Sequence, residues 1–179
     1  TTITELAKAL PDQLQATFFT GSLPAAIEYI QHPTAEVIFI GDRVSKNSRI
    51  TVGGDAIQKI SQINADLCFL GINALDPEKG LTDNDWDVVQ IKKAMINTSR
   101  KVVALTISEK LFTQQKIRVA ELAELDIIIT ELPPDDPKLD RVPAGFRKAI
   151  RTAMQKDPEL RYHNVPEMLA DLPWPEIAE

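Results

Sequence analysis

Hydroxyl groups, lysines and glycines recur in this chain just past its apolar runs. Thr1 and Thr2 open it, and Thr20-Gly21-Ser22 follows the aromatic and β-branched run QATFFT. Gly41-Asp42 follows EVIFI, Gly71 and Asn73 lie at the end of DLCFLGI, and Ser108 and Lys110 follow KVVALTI. Lys79 and Thr82 sit in the connecting stretch DPEKGLTD. Hydroxyls and backbone N–H groups at helix starts suit phosphate. A lysine meets an anion as a mobile point charge, and glycine lets the backbone approach a ligand closely. Taken together these residues point to a small anionic ligand; taken singly they are ordinary caps, turns and surface.

Other chemistry finds little support. His32 lies in the turn HPT and His163 near the end of the chain, neither beside a Cys or Ser in a nucleophile pattern. The single cysteine, Cys68, sits inside an apolar run and reads as a buried small hydrophobe. With no second cysteine there is no intrachain disulfide, which fits a reducing, cytoplasmic compartment. Asp83, Asp85 and Asp87 alternate as in a calcium loop, but Val88 and Ala94 stand where such a loop needs Gly and Glu. These carboxylates read instead as the acidic start of a helix, capped by Asn84 or Asp83. No metal or cofactor is expected. Twenty basic residues against 26 acidic ones, a net charge of −6, argue against direct contact with nucleic acid. No apolar run approaches membrane-spanning length.

The elements that must position these groups alternate. Helices are expected at 3–10 (ended by Pro11), 23–31 (with Ser22 as N-cap and Pro24 in its first turn), 55–63, 84–98 and 113–123. Strands are expected at 15–20, 36–40, 66–72, 101–107 and 126–130. The strands are continuous apolar runs, the pattern of a sheet covered on both faces. The fold class is therefore α/β: a doubly wound, mostly parallel sheet with helices on both faces. Ligands bind such sheets outside the carboxyl ends of the strands. Residues 131–143, with four prolines, read as a linker, and 144–156 and 165–172 as short helices of a C-terminal tail. The opening TTITELAKAL reads as the first turns of a helix with no initiator Met, so residues are expected upstream.

In order along the chain, TT..ELAKALP, TGSLPAA, EVIFIGDRVSKNSRITVGGDA, ADLCFLGINALDPEKGLTDND, VVQIKKAMINTSRKVVALTISEK and DIIITE resemble the C-terminal effector domain of the DeoR family of bacterial repressors over residues 1–132. The resemblance implies a fold similar to ribose-5-phosphate isomerase and CoA transferases. It also implies sugar-phosphate binding, release from DNA on binding, homo-oligomerisation, and an upstream strand and helix-turn-helix through which alone DNA is met. Thr1 and Thr2 match the two threonines of the family's phosphate loop. Thr20, Gly21 and Ser22 match a Thr-Asn-Ser loop, Gly41-Asp42 a Gly-Gly pair, and Lys79 to Thr82 a Gly-Leu-Thr turn. Gly71 and Asn73 match a further loop of the site. Ser108 and Lys110 match Ser-x-Lys, with Ile107 in place of the usual Asp. The isomerases place a Glu base near Val88, and valine cannot abstract a proton. Asp87 beside it is the one substitute.

Residues 142–172 resemble the last helices of a protein kinase domain, without any of that family's catalytic motifs. The expectation is a non-enzymatic sugar-phosphate sensor of a transcriptional regulator. An isomerase dependent on Asp87, or a ligand-free oligomerisation scaffold, are the alternatives.

Overall fold

The computed structural model describes residues 2–10, 12–133 and 136–142. Thr1, Pro11, His163, and the helices expected at 144–156 and 165–172 lie outside the described residues. The chain opens with α1 (Thr2–Lys8), followed by β1 (Thr17–Thr20), α2 (Leu23–Tyr29) and β2 (Glu36–Phe39). A short hairpin, β3 (Arg43–Val44) and β4 (Thr51–Val52), leads to α3 (Gly54–Ile60). Then come β5 (Ala65–Gly71), β6 (Ala74–Asp76), β7 (Gly80–Asp83) and α4 (Trp86–Asn97). β8 (Ser99–Leu105), β9 (Ile117–Ala120) and β10 (Ile127–Ile129) complete the strands.

The apolar runs pair in parallel, as expected of strands covered on both faces. β1 pairs with β2, and β8 lies between β5 and β10. These are two sheets, in the orders β1-β2 and β10-β8-β5. Helix α1 bridges them: Ile3 packs both against the cluster of Val103, Leu105, Ile127 and Ile129 and against that of Ala7, Ala25 and Tyr29. On the other side α4 contributes Val89 and Ile96 to the largest core cluster and Val88 and Ile91 to the cluster built with Ile40, Val52, Ala56 and Ile60. Parallel strands with helices on either side bear out the α/β class.

Local chemistry explains the helix ends. Ser22 caps α2, its hydroxyl accepting from the Ala25 N–H, with Pro24 in the first turn where no N–H is needed. The cap of α4 is Asp85, not Asn84 or Asp83. Its carboxylate accepts from the N–H groups of Asp87 and Val88.

One expected helix is absent. Residues 113–123 contain β9 and a single 3-10 turn, Leu122–Glu124, closed by a reciprocal Glu121–Glu124 capping box. Ile117 and Val119 are β-branched, and β7 offers them a partner, so long-range pairing overrides the helical spacing. β9, β7 and β6 form a separate antiparallel sheet. Gly80 opens β7 with φ +72°, and a Cβ there would lie 2.2 Å from the Ala120 carbonyl oxygen. Only glycine permits both that turn and that approach.

Residues 137–142 pack against the largest core cluster, where Leu139 and Val142 are buried. Leu139→Ala is expected to cost about 2–5 kcal/mol, measured by urea denaturation. An unchanged midpoint would mean that this segment does not belong to the folded unit.

Candidate functional site

The strand ends gather a compact polar cluster around Asp83. Asp83 ends β7, and its side chain is only 2% exposed. One carboxylate oxygen accepts from the Asn73 amide at 2.9 Å and from the backbone N–H groups of Asn84 and Asp85. The other accepts from Lys92 Nζ at 2.8 Å. Lys92 comes from the second turn of α4, which the Asp85 cap orients. Lys110, in the 3-10 turn Ser108–Lys110 beyond β8, donates to the Ile72 carbonyl at 2.8 Å. It is close enough to feel the charges of both Lys92 and Asp83.

Burial alone would push Asp83 up. The nearby Lys92 charge and the hydrogen bonds from Lys92, Asn84 and Asp85 outweigh it and hold the carboxyl below its ordinary value. Lys110 is moved down, by its own burial first and then by Lys92, against the opposing pull of Asp83. Two cations and one carboxylate thus share a partly enclosed space next to the exposed Asn73. Such a group can hold an anion on Lys110 while offering the exposed Asn73 amide to hydroxyls.

Other anticipated residues lie around this cluster or at the neighbouring sheet. Gly71 is at the end of β5, where a Cβ would touch Ile3 of α1 at 3.3 Å, so the start of α1, with Thr2, is held beside this strand end. Ser108 donates its backbone N–H to both carboxylate oxygens of Glu131, at 2.8 and 3.0 Å. Glu131 also accepts from the Thr130 hydroxyl, and these bonds outweigh its partial burial and lower its pKa. At the end of β1, Thr20 accepts from the Ser22 N–H, and the Gly21 carbonyl accepts from both the N–H and the hydroxyl of Thr51.

Asp42, just beyond Gly41, is itself an anion at a helix start. It accepts from the N–H groups of Arg43 and Ala56, which hold it below the usual carboxylate range. Lys59 Nζ meanwhile donates to the Gly41 carbonyl at 2.8 Å. Thr82 is buried, its hydroxyl accepting from the Gln115 N–H at 2.7 Å. Lys79 is exposed in the β6–β7 turn and gives its backbone N–H to Asp76.

The residues held out for catalysis fare differently. Val88 is buried in the core. Asp87 is partly exposed and ion-paired with Arg43 of β3. His32 Nδ1 accepts from the backbone N–H groups of Thr34 and Ala35, a turn-forming role. Asp83 and Lys92 were not anticipated as part of the site. The signal available in the sequence was their spacing of nine, one at a strand end and the other on the helix that follows.

The fold and this cluster define an α/β domain with a polar, partly buried group of charges at its strand ends. The comparisons give its family: the chain matches the DeoR C-terminal sensor domain over residues 1–132 and belongs to that family. It is 34% identical over 131 residues to the HTH-type transcriptional regulator GlpR of Haloferax volcanii, covering 73% of this chain and 51% of that protein. It is 29% identical over 130 residues to the glycerol-3-phosphate regulon repressor of Haemophilus influenzae, covering 73% and 51%. With the HTH-type transcriptional repressor GlcR of Bacillus subtilis it shares 28% identity over 140 residues, 78% and 54%. The chain spans about half the length of these curated relatives. These relatives are named as regulators rather than enzymes. A ribose-5-phosphate isomerase A structure from Neisseria gonorrhoeae matches with a TM-score of 0.34 at 12% identity, over 64% of this chain and 52% of that one. No helix among the described residues is long and apolar enough to cross a membrane.

Lys92→Met leaves a nearly fully buried carboxylate without its counter-ion and should cost about 3–5 kcal/mol at neutral pH. Asp83 has a folded pKa below its unfolded value. Its contribution is therefore complete above about pH 4 and is lost as pH falls through the lower folded pKa. Denaturation of Asp83→Asn across the acid range should show a lower stability at neutral pH and a shallower acid loss than the parent chain. Parallel acid profiles would remove Asp83 from this role.

Proposed function

We propose that this chain is the effector-sensing part of a transcriptional regulator and that its effector is a phosphorylated sugar or polyol. The convergence of Lys110 and Lys92 on Asp83 and Asn73, at the carboxyl ends of parallel strands, carries this reading. Lys110 holds the phosphate, Asn73 meets hydroxyls, and the buried Asp83 holds Asn73 and Lys92 in place. Thr2, Ser108 and the Thr20–Ser22 loop supply further polar groups at the rim. The name of the Haemophilus influenzae relative, a glycerol-3-phosphate regulon repressor, supports a small phosphate monoester. Regulation then requires the ligand to favour one of two arrangements of the domain, since equal affinity for both shifts nothing.

DNA binding is assigned to a helix-turn-helix upstream of this domain, in a protein about twice this length. The sheet supports the same organisation. A doubly wound sheet runs 3-2-1-4-5-6, and the orders β2-β1 and β5-β8-β10 supply 3-2 and 4-5-6. A strand preceding α1 would take the remaining place, pairing with the open edges of β1 and β5. Asp87 and Val88 offer no isomerase base: the one is ion-paired outside the cluster and the other is buried.

The test is thermal unfolding of the chain against a panel of sugar and polyol phosphates and their unphosphorylated parents. A ligand at about 100 times its dissociation constant adds roughly 2.7 kcal/mol, a rise in Tm of about 5–11 °C for a domain of this size. One ester is expected to raise Tm while its parent does not, and Lys110→Ala is expected to abolish the rise with little loss of basal stability. A flat panel, or a Lys110→Ala variant that responds normally, would overturn the assignment.

A further inference from the structure

Lys110 stands on a short turn whose two ends are anchored differently. Beyond β8 the chain leaves the sheet after Thr106, whose N–H donates to the Ile129 carbonyl of β10 at 2.9 Å. The 3-10 turn Ser108–Lys110 follows, and Lys110 Nζ reaches back to the Ile72 carbonyl beyond β5. Packing fixes the C-terminal side of the turn. Leu111 is buried in the largest core cluster and bridges to Leu75, and the Thr113 hydroxyl donates to the Lys110 carbonyl at 2.7 Å. On the N-terminal side the capping position holds Ile107, which makes no side-chain hydrogen bond there. An apolar residue in that place leaves the first amide of the turn without a local acceptor.

Glu131 supplies that acceptor from the next strand. β10 lies beside β8, so the residues just past their ends are neighbours. The Ser108 N–H donates to both Glu131 carboxylate oxygens, and the hydroxyl of the buried Thr130 donates to one of them at 2.8 Å. A charged acceptor on a backbone amide makes one of the stronger hydrogen bonds. The chain after Glu131 then returns to the same loop. Leu132 and Leu139 pack on the largest core cluster, and the Arg141 guanidinium lies 4.3 Å from the centre of the Phe112 ring. Phe112 is two residues beyond Lys110 and has a φ of +59°, a left-handed angle that a bulky residue keeps only where its surroundings impose it. Glu131 and Arg141 thus touch the Lys110 loop at its two ends.

We propose that Glu131 is a positioning residue of the effector site: it sets the Ser108–Lys110 turn and, with it, the Lys110 ammonium, while Arg141 steadies the far side of the loop through Phe112. The proposal rests on the reading of Lys110 as the group that holds the effector's phosphate. A lysine has a long flexible stem, so an ammonium already held in one place loses less entropy on meeting an anion than a free one does. The Glu131 oxygens are engaged by Ser108 and Thr130, and a carboxylate repels phosphate. Glu131 therefore acts through the Ser108 backbone and not on the effector. The role is one of reach: it needs an acceptor at the length of a glutamate side chain rather than a negative charge.

Ammonium NMR of the chain, labelled with nitrogen-15 in its lysine side chains, tests this. Lys110 and Lys92 are sheltered and hydrogen-bonded, so their ammonium resonances should exchange slowly and stand apart from those of exposed lysines, with Lys110→Arg giving the assignment. Glu131→Ala should merge the Lys110 resonance with the exposed set and leave that of Lys92 in place. Glu131→Gln keeps the length and a carbonyl acceptor and should retain the Lys110 resonance. Glu131→Asp keeps the charge but falls one methylene short and should lose it. The Gln and Asp variants carry the test if Glu131→Ala does not fold. Inorganic phosphate titrated into the same samples should move the Lys110 resonance of the parent chain, with an affinity weakened about tenfold in Glu131→Ala and little changed in Glu131→Gln. A Lys110 resonance indifferent to both Glu131→Ala and Glu131→Asp, or one kept by Asp and lost with Gln, would overturn the proposal. Phosphate that leaves Lys110 unmoved in the parent chain, while the dependence on Glu131 holds, would instead overturn the reading of Lys110 as the anion-holding group.

Discussion

The Asp83 carboxylate is the point on which the strand-end cluster of the domain turns. A charge almost wholly removed from water is tolerated only where partners replace its hydration. Asp83 meets that requirement by drawing in Asn73 from the end of β5, Lys92 from α4 and the two amides that begin the approach to α4. The position of α4 relative to the parallel strands, and the closure of the β6–β7 hairpin over them, follow from satisfying one side chain. Lys110 completes the group from a fourth element, held by the Ile72 carbonyl. Its ammonium is the cation that remains without a direct carboxylate contact.

Carboxylates also occupy the backbone amides at several element starts. Asp42 takes those of Arg43 and Ala56, Asp85 those of Asp87 and Val88, and Glu131 that of Ser108. Each is an internal anion placed where an external phosphate would find donors. These amides are therefore already filled from within, and the side-chain cations are what the strand ends leave to an external anion. Asp42 makes the point most sharply. A charged residue stands there in place of a bare glycine, and it is fully engaged with α3.

Much of this was legible in the residues. Five apolar runs became the five parallel strands, and Ser22 with Pro24 announced the start of α2, because burial and capping act over a few neighbouring residues. The antiparallel sheet was not legible. Its strands are three or four residues long, its turn hangs on the positive φ of Gly80, and β9 is drawn from a segment with helical spacing by a partner some 35 residues earlier in sequence. Asp83 was hidden for a related reason. In a stretch as acidic as DNDWD each carboxylate looks solvated, and only the tertiary approach of Lys92 and Asn73 shows which one is buried. Gly71, Asn73, Ser108 and Lys110 were placed at or just past strand ends from topology alone, because parallel α/β sheets put their carboxyl ends on one side.

The contact between Lys110 and the Ile72 carbonyl joins residues 38 apart in sequence, and Lys92 reaches the same place from a third element. No fragment shorter than this span carries the cluster. The hairpin of β6 and β7 can form early, being local, whereas the return of β9 and the turn holding Lys110 must close a long loop first. Any small molecule that contacted both lysines would recognise only the finished domain and draw the folding equilibrium toward it. Substitutions that loosen β9 or the Gly80 turn would therefore disperse the cluster without touching any of its residues.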